Sequence, residues 1–586
     1  MTRTQYTEHA EFETTRRLLA CLINEGLVDF VLQRVESSKQ RTLCLRSLAN
    51  EGKSPCISQL LVGISLDTLV DEIESICCPI APEQFELPVI LESNKGHTLL
   101  EANPSNILQA IHEWIPESIP NVPLLETTKQ MLQNSAENQG ENINSDAPLT
   151  SNFTDIPGSE KWLQFHHQQI PCDLNSAAIE WERTVIFGHP EHPLHRCLYP
   201  ESPLLAANAG DLITPEISFV SVPDAQLQTT GPFTPTLQPL LDQLGLPPPI
   251  EGQTMIPCFT ANLPLVLSRL PEATLIQSFQ GIADGQASAR SVSIKPHFSY
   301  NHNLKMSLPF QITGAIRNVK PWQSYQATYM TELIERLAHP NLWVNRETAT
   351  ITGVNMDVQA ARTVCCILRE DLEPRALKEG QALIIAAALY HRPAGGNKTY
   401  AERLFDLDDL EDKCSWLRRY MGLLFQLVIP LLGSGVVLET HSQNVLVRVD
   451  QRTKSVVGFA IRDMNGVKIH VPTLQDQGIA VDERLAQISE TRAASLEALW
   501  KRAHRTLIQN HAGFLMRSLG LDNSPGWSIV RDELEKVLSN PDCPMGEDLR
   551  RFFWAESMGY PCFLGAILRG KPLELEIKQH PNILLR

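Results

Sequence analysis

Gly435-Val-Val-Leu-Glu-Thr-His-Ser-Gln-Asn-Val-Leu-Val-Arg-Val-Asp450, followed by Phe459-Ala-Ile-Arg-Asp-Met-Asn-Gly466, is the stretch around which the chain is organised. Its β-branched runs, Val445 to Val449 and Val456 to Ile461, predict neighbouring strands joined by the polar turn Asp450 to Lys454. Glu439, His441, Gln443 and Asn444 stand just before the first strand, and Arg462-Asp463 just after the second. A hairpin gathers both groups at one end of a sheet, where they suit a phosphate and its metal. A purely polar loop is the plainer alternative, but complementary side chains at paired strand ends favour chemistry.

The chain has 586 residues, enough for several domains at about 150 residues each. A net charge of −17 argues against general nucleic-acid binding, which needs clustered Lys and Arg. Thirteen cysteines, an odd number without a C-x-x-C pair, suit reduced thiols better than a disulfide framework or a zinc site. The amino terminus lacks an apolar signal core, and no run reaches the roughly 18 apolar residues of a membrane span. A cytoplasmic protein with no membrane or nucleic-acid partner is expected.

The expected fold class is α+β in three parts, arranged as a cupped hand. Residues 1–125 form a small mixed domain, with helical spacing over 9–35, 66–76 and 106–114 and strands at 42–48 and 87–92. Residues 126–159, rich in Ser, Asn, Gln and Glu, read as a linker. Residues 160–395 carry short apolar runs at 184–187, 212–222, 255–259, 274–279, 291–294 and 304–316, expected in one large sheet, and a helix over 322–337. Residues 396–586 are mostly helical (404–432, 485–518 and 528–538) apart from the hairpin.

Three further clusters carry chemistry. In Gly188-His-Pro-Glu-His-Pro-Leu-His-Arg196 the prolines forbid helix, leaving a stiff loop bearing His189, His192, His195 and Arg196. Such close proline spacing splays imidazoles and disfavours zinc. Ser288-Ala-Arg-Ser291 sets hydroxyls around a cation, as an oxyanion cradle requires. In Lys305 to Arg317, one extended strand would put Lys305, Ser307, Thr313 and Arg317 on the same face.

In order and spacing these motifs, together with Leu368-Arg-Glu370, resemble those of the IucA/IucC-type siderophore synthetases, which work independently of nonribosomal peptide synthetases. The resemblance spans roughly residues 160 to 570. It implies ATP-dependent activation of a carboxylate, citrate or a related polycarboxylate, as an acyl-adenylate, then condensation with an amine or alcohol. ATP and Mg2+ are the implied cofactors, and a homodimer is compatible with the family. By position, Ser288, Arg290, Ser291 and Lys305 would hold phosphates, with Gln443, Asn444 and Asp463 completing the nucleotide site. Glu439 or Asp463 would face magnesium. Thr313, Arg317 and His441 would meet the carboxylate being activated, and His189, His192 and Arg196 would bind substrate.

The chain departs from the family pattern in several places. Arg196 stands for a lysine, Ser291 for a threonine and Ser442 for a glycine; Val222-Pro-Asp-Ala-Gln226 replaces a His-Pro-Trp-Gln segment. A carboxylate-binding lysine near the C-terminus is missing from Cys562-Phe-Leu-Gly565, with Lys571 the candidate replacement. Two alternatives compete. His441-x-x-Asn444 followed by Asp463 looks like the catalytic loop of aminoglycoside-type phosphotransferases, although Ser442 and Gln443 occupy the place of their aspartate base. A degenerate, non-catalytic member binding nucleotide or siderophore is the other.

Overall fold

Val445–Asp450 and Ser455–Ile461 pair antiparallel, from Val445 opposite Ile461 to Asp450 opposite Ser455, as their alternation predicts. The computed structural model describes residues 3–34, 41–48, 55–65, 79–115, 122–140, 171, 173–185, 188–206, 209–392, 397–522 and 525–586. The hairpin forms the middle of a four-stranded sheet, flanked by Leu342–Val344 in parallel and Gln381–Ile385 antiparallel. One face is buried by the helix Leu410–Gly433, whose Tyr420 ring meets Phe459 edge-on at 5.1 Å. Apolar residues recur along that helix at the spacing that places Leu417, Met421, Leu424, Val428 and Leu431 inward, and all are buried.

The large single sheet expected from the middle segment is instead three sheets. Ala283–Gly285, Ser291–Ile294, His302–Met306, Cys366–Glu370, Glu347–Gly353 and Leu227–Thr230 form a six-stranded antiparallel sheet in that order. Thr274–Phe279, Ile217–Pro223 and Gln253–Phe259 form a second sheet sharing one apolar core with the first. The run 304–316 breaks after Met306: Phe310–Ile312 and Ala315–Ile316 fold back on each other around Thr313, whose φ is +59°. Proline at 309 interrupts the ladder there. Ala178–Arg183 is helical, so the strand expected at 184–187 does not form over its described residues 184 and 185.

The amino-terminal part is mixed as expected, with a five-stranded antiparallel sheet and helices Arg3–Asn24 and Pro104–Ala110. The helix expected over 9–35 ends at Asn24, because Gly26 turns the chain at φ +64° and Asp29–Arg34 becomes a strand. The first half of the expected linker is also ordered. Val122–Gly140 is a helix that buries Leu132 and Ala136 against the first helix. Residues 141–159 and the helix expected at 66–76 lie outside the described residues.

In the last part, the long helix expected over 485–518 is broken into Glu483–Gln487, Leu496–Ala503, a π-helical stretch His504–Ala512, and Gly513–Leu519. The two ends of the chain meet. Glu25 accepts hydrogen bonds from the N–H groups of Leu564 (2.8 Å) and Gly565 (2.7 Å), and His580 bonds to the Asn24 carbonyl at 2.8 Å. No helix among the described residues is long and apolar enough to cross a membrane.

Candidate active site

At the mouth of the hairpin the Arg462 N–H donates to Asn444 O at 3.0 Å, which puts Asn444 and Arg462 side by side. Asp463 then adopts a left-handed conformation, φ +67°, which aspartate tolerates better than most residues. Its carboxylate meets Lys305 Nζ at 2.6 Å and Arg290 at 3.6 Å. Lys305 lies opposite Ser291 on the adjoining strand and is fully buried; it also faces Glu347 at 3.4 Å, itself 2.9 Å from Arg369. Burial pushes the Lys305 ammonium down, opposed by Asp463 and Glu347. For Asp463 burial acts upward, but Lys305, Arg290 and Arg369 overcome it and hold the carboxyl well below the usual range. The result is a chain of alternating charges, buried at Lys305, Glu347 and Arg369 and partly exposed at Asp463 and Arg290.

The cradle loop is closed by its own backbone: the Gln286 N–H donates to Ser291 O at 2.9 Å and the Ser291 N–H to Ser288 O at 2.8 Å. Two ties fix it to the hairpin. Gln443 Nε2 donates to Ala287 O at 2.8 Å, and Glu182 accepts from the Ala287 N–H at 3.0 Å while taking both arms of the Arg462 guanidinium. The Ser291 hydroxyl is buried with no hydrogen-bond partner among the described residues, and Arg290 stands beside it in the sequence. An unsatisfied buried donor next to two cations fits an anion such as phosphate.

Glu439, His441 and Asn444 form a second group. Asn444 Nδ2 lies 3.4 Å from Glu439 Oε2 and 3.3 Å from His441 Nε2, and Arg502 reaches Glu439 Oε1 at 2.7 Å. Burial lowers the His441 pKa, with Glu439 and Asp463 opposing, so the imidazole is neutral at pH 7. Glycine is required at 466, because a Cβ there would stand 2.0 Å from Glu439 Oε2.

Thr313 and Arg317 do not share a strand face with Lys305. The turn at Thr313 folds Arg317 back, and the guanidinium donates to Thr313 Oγ1. Ser307 is structural, its hydroxyl bridging the Val319 N–H and Arg362 O. Arg317 still reaches the same charge field. Burial lowers its pKa to about 10, Arg290 adds to this, and Glu439 and Asp463 oppose. The Thr313 N–H donates to Leu194 O at 3.1 Å, which joins this turn to the histidine loop.

In that loop His189 Nδ1 accepts from the N–H groups of Glu191 and His192, and His192 Nδ1 from that of Leu194. Both rings pack on Phe563, at 5.7 and 4.9 Å. Burial drives His192 down to about 3, assisted by the charges of Arg317 and Arg505, and lowers His189 likewise, so both are neutral. His195 bonds to Thr14. Arg196 makes no contact with this group among the described residues. Its backbone is held by Ser135 and Asn138, and the charge that bears on it is that of Arg17.

Sequence reasoning missed Glu182, Arg502, Arg505 and Phe563. A signal for two of them was present, since Arg502-Ala-His-Arg505 sets two arginines three apart, the spacing that brings side chains to one side of a helix. Lys571, the candidate replacement for the missing lysine, is exposed and pairs with Glu574 at 2.8 Å.

Residues 273–391 match the model of the IucA / IucC family, and residues 414–577 that of a ferric iron reductase FhuF-like transporter family. The chain is 34% identical over 578 residues to an NRPS-independent siderophore synthetase-like protein, ankE, of Aspergillus thermomutatus, covering 96% of this chain and 91% of that one. It is 27% identical to the NRPS-independent siderophore synthetase rfs of Rhizopus delemar, covering 91% and 90%. Its fold matches that of the petrobactin biosynthesis protein AsbB of Bacillus anthracis (TM-score 0.74, 14% identity, 99% and 96% covered). It also matches ATP-bound aerobactin synthetase IucA of Klebsiella pneumoniae (TM-score 0.70, 14% identity, 97% and 99% covered). With a mixed helix-and-strand fold of this kind and a relative at that identity along nearly its whole length, the chain belongs to the NRPS-independent siderophore synthetase family of IucA and IucC.

Proposed function

We propose that this synthetase activates a di- or tricarboxylate with ATP as an acyl-adenylate and passes the acyl group to an amine or alcohol. The supporting observation is the Lys305–Asp463–Arg290 chain, buried at Lys305, with Arg317 beside it, a guanidinium that has no carboxylate partner among the described residues. In the reaction a carboxylate oxygen of the acid bonds to the α-phosphorus as the bond to pyrophosphate breaks. The acceptor nitrogen or oxygen then bonds to the acyl carbon, AMP leaves, and the acceptor loses a proton.

Arg290, Lys305 and the Ser291 hydroxyl would hold the phosphates, and preorganised cations are worth most where charge develops in the transition state. Arg317, locked by Thr313, presents a fork to the attacking carboxylate. Neutral His441 donates or accepts one hydrogen bond at that point without adding charge. Glu439 Oε2, whose polar neighbours among the described residues are Asn444 and His441, would be the oxygen to meet a magnesium ion, whereas both Asp463 oxygens face cations. Magnesium bound there would neutralise charge on the departing pyrophosphate.

Hydroxamate trapping with ATP, magnesium and a panel of carboxylic acids tests the reading. Pyrophosphate and AMP should form together with the hydroxamate of at least one di- or tricarboxylate. Formation of ADP in place of AMP would instead support phosphoryl transfer and overturn it.

A further inference from the structure

His504–Ala512 winds as a π-helix over nine residues, a rare form that is frequent at functional sites. Its effect here is a change of face. In an α-helix residues five apart are turned by about 140° from one another, whereas i→i+5 bonding brings them round to the same side. Thr506 and His511 are five apart, and both meet Thr440, the residue just ahead of His441. Thr506 Oγ1 lies 3.2 Å from Thr440 Oγ1, and His511 Nδ1 lies 2.9 Å from the Thr440 carbonyl. A carbonyl can only accept, so Nδ1 carries the proton, and Nε2 is left to accept from the Tyr420 hydroxyl at 2.8 Å. His511 is 1% exposed, and burial lowers its pKa to about 4, so the ring is neutral with both nitrogens used. One turn earlier Arg502 holds Glu439 at 2.7 Å, and beyond Thr440 the His441 carbonyl accepts from the Asn444 N–H at 2.8 Å.

We infer that His511 is a positioning residue for the reaction. By holding the Thr440 carbonyl it fixes the peptide plane that joins Thr440 to His441, and with it the direction in which the His441 imidazole leaves the backbone. Its ring bonds go to Thr440 and Tyr420, so it acts through His441. An α-helical continuation would still carry Thr506 to this segment but would turn His511 away from it. The π winding therefore lets one helix grip both the side chain and the main chain of Thr440. Misplacing a catalytic group by about 1 Å costs on the order of 10²-fold in rate, so one main-chain bond is enough to matter. The inference deepens the proposed ligase reading and rests on it for the part His441 plays.

Two full-length variants, each checked for native circular dichroism, separate position from packing. In His511→Asn the side-chain amide stands where Nδ1 stood and still donates to Thr440. In His511→Gln it reaches the Nε2 site instead and meets Tyr420 alone. ATP–pyrophosphate exchange should fall roughly tenfold to a hundredfold in His511→Gln, with calorimetric ATP affinity unchanged, and should largely return in His511→Asn. Combined with His441→Ala, His511→Gln should cost nothing further. Wild-type exchange in His511→Gln overturns the inference. So does an equal loss in both variants, a parallel fall in ATP affinity, or a full extra loss in the absence of His441, each of which marks a packing residue. His511→Met, which keeps bulk without a donor, replaces His511→Gln with the same outcomes if the latter does not fold. A second readout needs no turnover. In protein labelled with 13C at histidine Cε1, the His441 signal, assigned by its absence from His441→Ala, should move in His511→Gln and stay in place in His511→Asn. An unmoved signal in His511→Gln overturns the inference. Absence of exchange by the wild type with every acid would sink the ligase proposal instead, and the His441 signal would still decide the positioning.

Discussion

Arg462 and Glu182 are joined by two parallel N–H···O bonds across 280 residues of chain, both side chains nearly fully buried. Each has a further duty: Arg462 Nε holds the Gln443 carbonyl at 2.9 Å, and Glu182 holds the Ala287 N–H. The pair is thus the pin that keeps the cradle loop over the hairpin mouth. Removing one partner leaves an uncompensated buried charge, so Arg462→Met or Glu182→Gln should destabilise the protein by about 3–5 kcal/mol. The double variant should lose less than the sum of the two. Urea denaturation of all four proteins checks this, and additive losses would show that the two do not act as a pair.

Lys305→Ala should weaken ATP binding and adenylation together, because the same ammonium neutralises Asp463 and Glu347 and faces the phosphate cradle. Calorimetric ATP titration beside pyrophosphate exchange reads both. ATP affinity retained in the folded variant would move Lys305 out of the nucleotide site.

Arg317→Lys should fall in activity far more than conservation of charge suggests, since a point ammonium cannot bond Thr313 and present a fork at once. Unchanged turnover would remove Arg317 from the reacting centre.

His441→Ala should bind ATP nearly as well as wild type and exchange pyrophosphate roughly 10²-fold more slowly, the scale for one lost preorganised contact. Near-normal exchange would leave His441 as a loop residue. Because burial keeps this imidazole neutral, wild-type exchange should not drop through pH 6.5 as it would for an ordinary histidine.

Glu25 gives the fold a pH dependence of its own. Burial raises its carboxyl from 4.5 to about 7, with the N–H bonds of Gly565 and Leu564 opposing. The folded state therefore binds the proton more tightly than the unfolded chain. The contribution of this group is fullest below pH 4.5 and declines as pH rises to about 7, by on the order of 3 kcal/mol. Glu25→Gln should flatten that decline, as read from urea midpoints between pH 5 and 8. Parallel slopes for the two proteins would show that Glu25 is not the cause.

The hairpin was legible because its code is local: β-branched alternation with a polar turn between, and polar side chains at the strand ends that pairing must bring together. Lys305, Asp463 and Arg290 were legible as chemistry by residue type, although not as contacts. The face-sharing of Lys305 with Arg317 failed because a period-2 argument needs an unbroken strand, and Pro309 with the left-handed Thr313 breaks it. The long helix at 485–518 failed over 488–495, where the chain leaves the helix until Ser495 caps a new one, and the periodicity beyond it did not reveal the π winding of His504–Ala512. Glu182, Glu25 and Phe563 each meet a partner more than 250 residues away, and no local pattern records such a contact.

The junction of Glu25 with Leu564 and Gly565 bears on how the molecule is made. Leu564 leaves the ribosome 539 residues after Glu25, so the surface that receives Leu564, Gly565 and His580 stays open for that whole stretch of synthesis. Phe563, the wall behind His189 and His192, arrives with that final segment. A chain released before residue 562 can complete the hairpin and its sheet but not the histidine pocket, so the cleft gains its full form only after Phe563 has emerged.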